Sequence, residues 1–486
     1  MNIKKVILVD ASPRSSRFGV YLRHSLLDPL ALEYFGAVAR KEGFEVKIIQ
    51  QRNENKKQII HKILRERPDV VCFTSMTYNF LHSKEIALEI KKRNPKAITV
   101  FGGYHVSAIT TPEYGGKMVT KDIYGIDFIV VGEGEETFAE LLECLKNNLE
   151  TKEIKGIAYF KNKHLVINPL RERIRNLDNL PFPLRKRELI FRNKQFTIWP
   201  PMSKQRSFLQ IQCSRGCPYN CEYCASPMLL GRMQIWRSAK NIVDEIEELH
   251  KKFGTNYFKF ADLNFMTNKK KVIKICNEIL RRKINVFWCI DADVRQIDEG
   301  LLKKMKQAGC ARITVGIESL SEQVLKDMQR MHTLEDVKKF ANLCTQIGIA
   351  CRGFLMLGHP LEEKYFSSPK EYLNEYIKAI RSLARAGLDE LRISFVTPFP
   401  GTMLFKKYKR KISTFDWSKY TTDIPILHVK YASPKQLVHI RKSIFKEFYN
   451  CREYREHVLY KIRKFPEFKQ GYREFFSKLK SIKILS

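Results

Sequence analysis

Short apolar runs alternate with longer amphipathic stretches along the first 150 residues of the chain. Helical stretches such as LALEYFGAVARKEG and SKEIALEIKKRN lie between runs of strand length. This alternation predicts an α/β fold with a doubly wound, Rossmann-like parallel sheet over residues 1–150. The predicted strands are VILVD, EVKII, VVCFTS, ITVFGG and DFIVVGEG.

Four of these predicted strands end in polar or glycine-rich segments, at residues 10–12, 75–77, 102–105 and 132–135. Ligands of doubly wound sheets bind outside the carboxyl ends of the strands. The four segments together therefore predict the rim of a ligand pocket.

A second alternation covers residues 206–405 and predicts a partial (β/α)6 TIM-like barrel with its site at the C-terminal face. In this region Thr333 and Asp336 predict a capped helix start. Residues 151–205 are interpreted as a connector that contains a hairpin, IAYFKNKHLVI, and the turn LPFPLR. The predicted barrel strands are FLQIQC, YFKFAD, VFWCID, RITVGIES, CRGFLMLG and LRISFVTP.

Composition narrows the class of protein. No apolar run reaches the roughly 18 residues of a transmembrane helix, and MNIKKVILVDASPR is interpreted as a first strand because it lacks a small-residue cleavage site. The 12 cysteines are mostly dispersed, unlike those of a secreted disulfide scaffold, so we expect a cytoplasmic protein. The formal net charge is +35, and residues 406–486 contribute 21 Lys and Arg against 7 Asp and Glu.

Four cysteines lie within the segment CSRGCPYNCEYC, at positions 213, 217, 221 and 224. Zinc sites usually place a second cysteine pair a dozen or more residues away, and none exists here. The last three follow the spacing C-x3-C-x2-C, which differs from that of ferredoxins. Three such thiolates can bind three irons of a cubane and leave the fourth open. Cys213 lies outside this spacing and is interpreted as a strand-end residue.

C-x3-C-x2-C directly after the first strand of a six-unit barrel resembles the radical S-adenosylmethionine (SAM) superfamily. The resemblance implies that Cys217, Cys221 and Cys224 bind a [4Fe–4S] cluster whose open iron binds the amino and carboxylate groups of SAM. It also implies contacts between SAM and residues at or near strand ends. Tyr223 would contact the adenine, Asp262 the amino group, and Glu318 and Ser319 the ribose or the methionine end. Arg352 would lie near these residues.

FTSMTYNF, FGGYHVSA and VVGEGEETF resemble the cobalamin-binding domain of the B12-dependent radical SAM group. The motif D-x-H-x-x-G is absent, so we expect base-off cobalamin without a protein histidine ligand, and His105 is interpreted as structural. The resemblance implies that glycine backbone approaches the corrin closely and that two hydroxyls bond its nucleotide tail. The glycines are Gly102, Gly103, Gly132 and Gly134, and the hydroxyl residues are Ser75 and Thr77.

By this resemblance the chain is a cobalamin-dependent radical SAM enzyme that methylates an unactivated carbon through a 5′-deoxyadenosyl radical and methylcobalamin. One alternative keeps both cofactors but performs a cyclisation, oxidation or rearrangement, as in anaerobic porphyrin-ring cyclases. Another is an RNA-modifying methylthiotransferase, which would need a second cysteine trio where the first domain has only Cys72 and Cys144. A third is a nucleic-acid-binding protein with a structural metal.

The expected partners are a small-molecule or lipid substrate and an electron donor such as flavodoxin or ferredoxin, whereas nucleic acid is not expected. Aromatic residues of the basic region 406–486 recur at helical spacing and predict a helical face that packs on the barrel mouth. The cations opposite that face would then meet an anionic substrate or the surface of an anionic membrane.

Overall fold

The computed structural model of the protein describes residues 3–12, 28–110, 122–186 and 209–481. The part of the predicted connector at 187–205 lies outside these ranges. No helix of the described residues combines the length and apolar character needed to cross a membrane.

The first sheet has the strand order β2-β1-β3-β4-β5-β6-β7. Its first five strands are parallel and their helices pack on both faces, which confirms the predicted doubly wound architecture. The strands are β1 Lys5–Asp10, β2 Glu45–Gln50, β3 Val70–Thr74, β4 Ile98–Gly102, β5 Phe128–Val130, β6 Ile157–Lys161 and β7 His164–Ile167.

The predicted connector hairpin is part of this sheet. β6 pairs antiparallel with β5, and β7 pairs antiparallel with β6. The first sheet therefore extends to Ile167, beyond the boundary at residue 150, because the hairpin covers an edge that β5 would otherwise leave open.

The second sheet is a partial barrel of six parallel strands in the order β15-β14-β13-β12-β11-β8, and each overlaps one predicted apolar run. A short antiparallel ribbon, β9 Ser214–Arg215 with β10 Ile235–Trp236, lies beside it. The barrel strands are β8 Leu209–Ile211, β11 Tyr257–Phe260, β12 Phe287–Ala292, β13 Cys310–Glu318, β14 Ala350–Leu357 and β15 Glu390–Phe395.

The helices alternate with the strands as their apolar spacing predicts, and Thr333 and Asp336 form a reciprocal capping box. Helices of the first domain are α1 Leu30–Lys41, α2 Lys56–Leu64, α3 Phe80–Arg93, α4 Tyr104–Thr110 and α5 Glu135–Asn147. The others are α6 Ser226–Leu230, α7 Ala239–Phe253, α8 Lys269–Arg281, α9 Glu299–Gln307, α10 Glu322–Asp327, α11 Leu334–Ile347, α12 Pro369–Arg385, α13 Met403–Tyr408, α14 Pro434–Asn450, α15 Arg452–Lys464 and α16 Phe468–Ser481.

The C-terminal end of α14 and the two helices that follow it pack against the barrel at the end where its strands begin. Tyr449 accepts a hydrogen bond from the backbone N–H of Leu391 (2.9 Å), and Lys461 donates to the carbonyl of Ile349 (2.9 Å). These contacts lie at the starts of β14 and β15, opposite the barrel mouth. The expectation that the aromatic face covers the mouth is therefore wrong, although the face itself is helical and buried.

Candidate active site

The cysteine loop, residues 216–224, leaves the barrel after β8 and is closed at its base by the β9–β10 ribbon. Cys217, Cys221 and Cys224 are half-buried on this loop, whereas Cys213 is fully buried in the barrel core. Gly216 has φ +95°, and a Cβ there would collide with the carbonyl of Met233, so the loop needs glycine at its start.

The three thiols offer the donor set of an iron–sulfur cluster, because thiolates bind such clusters in proteins. Burial raises the pKa of the Cys217 and Cys221 thiols. No three His, Cys, Asp or Glu side chains of the described residues converge on a point that one metal ion could occupy. Thiolates that bind different irons of one cluster do not have to share such a point.

Arg330 contacts the cysteine loop from the far side of the barrel mouth. Its Nη1 lies 2.9 Å from Sγ of Cys221, and its Nη2 lies 3.6 Å from Oε1 of Glu318 and 3.5 Å from Oδ2 of Asp293. The guanidinium is buried, so a cation is held beside a thiol with two carboxylates as its partners. Sequence reasoning missed Arg330, because it follows α10 and belongs to no strand-end motif.

Glu318 is joined directly to the cysteine loop, since the Tyr223 hydroxyl donates to its Oε1 over 2.6 Å. Glu318 ends β13 with a left-handed φ of +66°, which is uncommon for a residue other than glycine. A Cβ on Gly316 would collide with the Glu318 carboxylate. The predicted VGIES segment thus turns its carboxylate back over Gly316 toward Tyr223 and Arg330.

In their hydrogen bonds, Asp262 and Ser319 do not contact Tyr223, Glu318 or Arg330 directly, but bind the segments that support these residues. Asp262 follows β11 and accepts hydrogen bonds from the hydroxyl of Ser214 and the backbone N–H of Cys213, and burial raises its pKa to about 6. The hydroxyl of Ser319 lies 2.8 Å from that of Tyr376. Both residues are buried at strand ends, and in this structure both bind protein groups that support the loops.

Arg352 does not lie with the other predicted residues. It is the third residue of β14, and its Nε lies 2.7 Å from Oε2 of Glu390, its register partner on β15. Five residues of strand, or about 16 Å, separate it from the end of β14 at Leu357. The expectation that Arg352 lies near the cofactors is corrected by this ion pair at the opposite end of the barrel.

The central cavity, of about 540 Å³, lies between the strand ends of the first sheet and the cysteine loop. Its upper wall comes from the polar segments after β1 and β3, as the sequence predicted for a ligand pocket. Its lower wall includes the side of the cysteine loop that faces the first domain. The lining residues include Asp10, Ser12, Thr74, Met76 and Thr77 above, and Tyr223, Cys224, Ala225 and Ser226 below.

The sheet cavity is a second space of about 210 Å³, between the sheet and helices α1 and α5. All four predicted glycines line it together with apolar side chains: Gly102, Gly103, Gly132 and Gly134. A Cβ on Gly132 would meet nothing within 4 Å, so this backbone is open to the cavity. A Cβ on Gly103 would lie 2.8 Å from the carbonyl oxygen of Ser75, and its φ of +108° also favours glycine, so this position requires glycine for reasons of its own backbone and packing.

The two predicted hydroxyl residues and His105 lie around the same strand ends. Thr77 lines the central cavity, and the Ser75 hydroxyl is buried without a hydrogen-bond partner. His105 packs between Phe80 and Trp417, and both its ring nitrogens lack a partner. None of the described residues that line the two cavities is a histidine.

A buried ion pair joins the two halves of the site. Arg215, two residues before Cys217, contacts the carboxylate of Glu135 at 2.5 and 3.1 Å. Burial would raise the pKa of Glu135, but the charge and hydrogen bonds of Arg215 lower it below its ordinary value. The GEGEETF segment of the first domain thereby holds the base of the cysteine loop.

Comparison with known proteins agrees with both halves. The model of the radical SAM superfamily matches residues 211–368, and the model of the B12 binding domain matches residues 22–142. The chain thus combines a B12-binding domain with a radical SAM domain. Cobalamin and SAM are therefore cofactors of this enzyme, and the two matched ranges meet at the central cavity.

Related proteins are similar to this chain over most of its length. An uncharacterized methyltransferase of Pyrococcus horikoshii is 29% identical over 429 residues, which cover 87% of each chain. The anaerobic magnesium-protoporphyrin IX monomethyl ester cyclase of Rubrivivax gelatinosus is 29% identical over 399 residues, which cover 81% of this enzyme and 68% of the cyclase. The solved structure of the cobalamin-dependent radical enzyme OxsB shares the fold, with a TM-score of 0.68 and 16% identity, over 99% of this chain and 81% of that one.

Proposed function

We propose that the chain is a cobalamin-dependent radical SAM methyltransferase that replaces a hydrogen on an unactivated carbon with a methyl group. The central cavity carries this proposal. Strand ends of the B12-binding domain form one wall, and the cysteine loop forms the other. A substrate between the two walls would face both cofactors at once, and positioning of reactants is the main task of a protein that uses such cofactors.

The cysteine loop would hold a [4Fe–4S] cluster through Cys217, Cys221 and Cys224. Arg330 beside Cys221 is the buried cation that suits the carboxylate of SAM, because guanidinium and carboxylate form strong paired hydrogen bonds. Glu318, held by Tyr223, supplies a carboxylate for the amino or hydroxyl groups of the same molecule. Asp262 and Ser319 would support this site from behind.

The sheet cavity fits the nucleotide end of cobalamin. A dry apolar cavity of about 150 Å³ binds benzene, so the 210 Å³ here suits a somewhat larger ring system such as a benzimidazole. Gly102 and Gly132 leave the cavity open, and Ser75, whose buried hydroxyl has no hydrogen-bond partner, packs its backbone against Gly103. This arrangement supports base-off binding of cobalamin. None of the described residues that line the two cavities is a histidine that could bind cobalt.

When bound, the cluster, SAM and cobalamin supply hydrogen abstraction from carbon and delivery of a methyl group. Each turnover then converts one C–H bond and two SAM molecules to one C–CH3 bond, 5′-deoxyadenosine, methionine and S-adenosylhomocysteine, with two electrons taken from a donor. The residues of this chain orient these reactants and exclude water from the cavity between the domains.

The relatives favour methyl transfer over ring closure. The methyltransferase aligns over 87% of both chains, whereas about a third of the cyclase lies outside its alignment. Cyclisation with the same cofactors is the second candidate, because the cyclase is equally identical over the shared part.

Anaerobic reconstitution followed by reaction with SAM carrying a labelled methyl group tests the proposal. Dithionite-reduced enzyme should form 5′-deoxyadenosine and should move the label to cobalamin. Cells that express the gene and grow on trideuteromethyl methionine should contain a product three mass units heavier. Production of 5′-deoxyadenosine without label on cobalamin would favour cyclisation, and the absence of both would reject a radical SAM enzyme.

A substitution at Gly102 tests the cobalamin site. Gly102 has a normal strand backbone and room for a Cβ, with Val130 at 3.8 Å. Gly102→Leu should fill the sheet cavity and remove bound cobalamin while the iron content stays the same. Retention of a full equivalent of cobalamin would place the cofactor elsewhere.

A further inference from the structure

Met76 presents an exposed apolar side chain to the central cavity. It lies two residues after the end of β3, and it is 40% exposed although it lines the space between the two domains. Its neighbours at this rim, among them Asp10, Ser12 and Thr77, are polar. Ligand pockets combine apolar surface with a few polar groups that fix the orientation of the ligand. The thioether therefore offers a contact surface for a bound molecule.

The backbone of Met76 is fixed by both strands of this rim. Its N–H donates to Oδ1 of Asn79 (2.8 Å), and Nδ2 of Asn79 donates to the hydroxyl of Ser12 (3.2 Å). That hydroxyl donates in turn to Oδ1 of Asp10 (2.6 Å) at the end of β1. A methionine side chain is flexible and polarisable, so it adapts to the surface of a partner. A fixed backbone with an adaptable side chain suits contact with a flat ring.

The position of Met76 coincides with the topological switch point of the first sheet. In the strand order β2-β1-β3, the chain passes from β1 to β2 on one side and returns to β3 on the other. A crevice opens at such a point outside the carboxyl ends of the strands, and ligands of doubly wound sheets bind there. Residues 10–12 lie at the end of β1 and residues 75–77 at the end of β3, so they form the two sides of this crevice.

The nucleotide end of cobalamin determines which part of the cofactor lies over Met76. The sheet cavity, which fits that end, is lined by residues of β3, β4 and β5. Thr74 and Tyr104 line both the sheet cavity and the central cavity, so the two spaces meet at the end of β3. A cofactor with its tail in the sheet cavity would therefore place its corrin ring at the same end, with one face against residues 75–77.

We propose that Met76 covers the lower face of the corrin at cobalt and excludes water from the metal. The inference rests on the proposed function, in which the sheet cavity holds the nucleotide end and leaves cobalt without its own base. A thioether is only a weak hydrogen-bond acceptor, so it does not hold a water molecule beside the metal. Met76 would therefore act as an apolar cover, and not as a ligand, of a cobalt atom that binds neither the cofactor base nor a histidine.

Met76→His, reconstituted with cobalamin and examined as cob(II)alamin by electron paramagnetic resonance, tests this position. The unpaired electron of cob(II)alamin lies along the axis perpendicular to the ring, so an axial nitrogen splits each cobalt line into three. The wild type should show no such splitting, and Met76→His should show it. Labelling of histidine with nitrogen-15 should turn each triplet into a doublet, which separates the new imidazole from the base of the cofactor.

Tyr78→His is the matched control at the same rim. Tyr78 also lines the central cavity, and its hydroxyl lies 3.3 Å from that of Ser12. A histidine there should cause no nitrogen splitting, because the side chain lies on the β1 side of the crevice. Both variants are compared at a full equivalent of bound cobalamin. Splitting in Tyr78→His alone, in both variants or in neither would overturn the assignment of Met76.

Met76→Leu and Met76→Ala test the apolar cover without a new ligand. Leucine keeps most of the apolar volume, so the optical and paramagnetic spectra of cob(II)alamin should match those of the wild type. Alanine leaves room for water below the ring, so its spectra should move toward those of cobalt with an axial water. Wild-type spectra in Met76→Ala would overturn the proposal. Equal changes in both variants would make the thioether a ligand and overturn it as well.

The spectra require bound cobalamin but no turnover, whereas transfer of a methyl label from SAM requires turnover. Nitrogen splitting in Met76→His, with a wild type that never moves the label to cobalamin, would reject methyl transfer and keep Met76 below cobalt. Label transfer by the wild type, together with a Met76→His variant that binds cobalamin without splitting, would overturn this inference alone.

Discussion

Arg215 of the barrel and Glu135 of the B12-binding domain form a buried ion pair, with contacts of 2.5 and 3.1 Å. Arg215 lies two residues before the first cysteine of the loop, and Glu135 begins α5 at the edge of the sheet cavity. The pair therefore links the place of the cluster to the place of cobalamin.

Glu135→Gln should weaken this link. An unpaired Arg215 would remain buried, and breaking a buried pair costs about 3–5 kcal/mol. We expect a lower unfolding temperature and weaker cobalamin retention. Glu140→Gln, which removes the half-exposed partner of Arg171, is the control and should change neither quantity. Equal effects of the two substitutions would show that the interdomain pair has no special role.

Cys217→Ala, Cys221→Ala and Cys224→Ala should each abolish assembly of the [4Fe–4S] cluster. Cys213→Ala should retain about four irons per chain, although it removes a buried side chain of the barrel core. Iron and sulfide analysis after anaerobic reconstitution, with paramagnetic resonance of the reduced protein, measures both outcomes. Loss of the cluster in the soluble, folded Cys213 variant would make that residue a ligand.

Arg330→Gln should weaken SAM binding because the substrate carboxylate would lose a charged partner. Hydrogen bonds to charged groups contribute about 1.5–3 kcal/mol, so the dissociation constant should rise by roughly ten- to a hundredfold. Arg330→Lys should restore part of the affinity. Equilibrium dialysis with SAM measures the effect, and Arg281→Gln on the exposed surface of α8 is the control. Unchanged affinity in a variant with full iron content would reject the assignment.

His105 should make the stability of the folded protein depend on pH. Burial lowers its pKa to about 3, whereas a histidine of the unfolded chain has a pKa of about 6.5. As the pH falls below 6.5, the unfolded chain gains a proton that the folded state does not bind, so stability is lost. At pH 5.5 this histidine should cost about 1.4 kcal/mol relative to pH 8.

His105→Phe should remove that part of the pH dependence and keep the contacts with Phe80 and Trp417. Chemical denaturation at pH 8 and pH 5.5 gives the apparent free energy of unfolding. His61→Gln, on an exposed position of α2, should leave the pH dependence as it is. An unchanged pH dependence in His105→Phe would mean that His105 is protonated in the folded state.

The C-terminal helices should bind anionic membranes. Leu459 and Tyr460 are about half exposed on α15, with the exposed cations Arg463 and Lys464 one turn later. An amphipathic surface of this kind binds anionic lipid with about 1 kcal/mol for each cation near the surface. Sedimentation with neutral and anionic vesicles measures it. A variant that combines Arg463→Glu, Lys469→Glu and Arg473→Glu at exposed positions should bind anionic vesicles less. Equal binding to both lipids at every salt concentration would reject the prediction.

The sequence by itself determined the two parallel sheets and the cysteine loop. Strand and helix periodicity is a local property of the sequence. A buried parallel strand consists of an apolar run, which is visible in the sequence without knowledge of the neighbouring strands. The spacing of Cys217, Cys221 and Cys224 is local as well. The three cysteines are close in sequence, so one short loop brings their side chains near each other. The same holds for the capping box of Thr333 and Asp336.

Only the tertiary structure decided which distant groups meet. Arg330 contacts Cys221 across 109 residues of sequence, and Arg215 contacts Glu135 across 80. Arg352 lies near the start of β14, where the strand register pairs it with Glu390. The apolar run showed that a strand is present, but the exact start of the strand decided at which end of the barrel Arg352 lies. The C-terminal end of α14 and the helices α15 and α16 likewise pack beside the strand starts, since their amphipathic pattern specifies a buried face but not the surface that buries it.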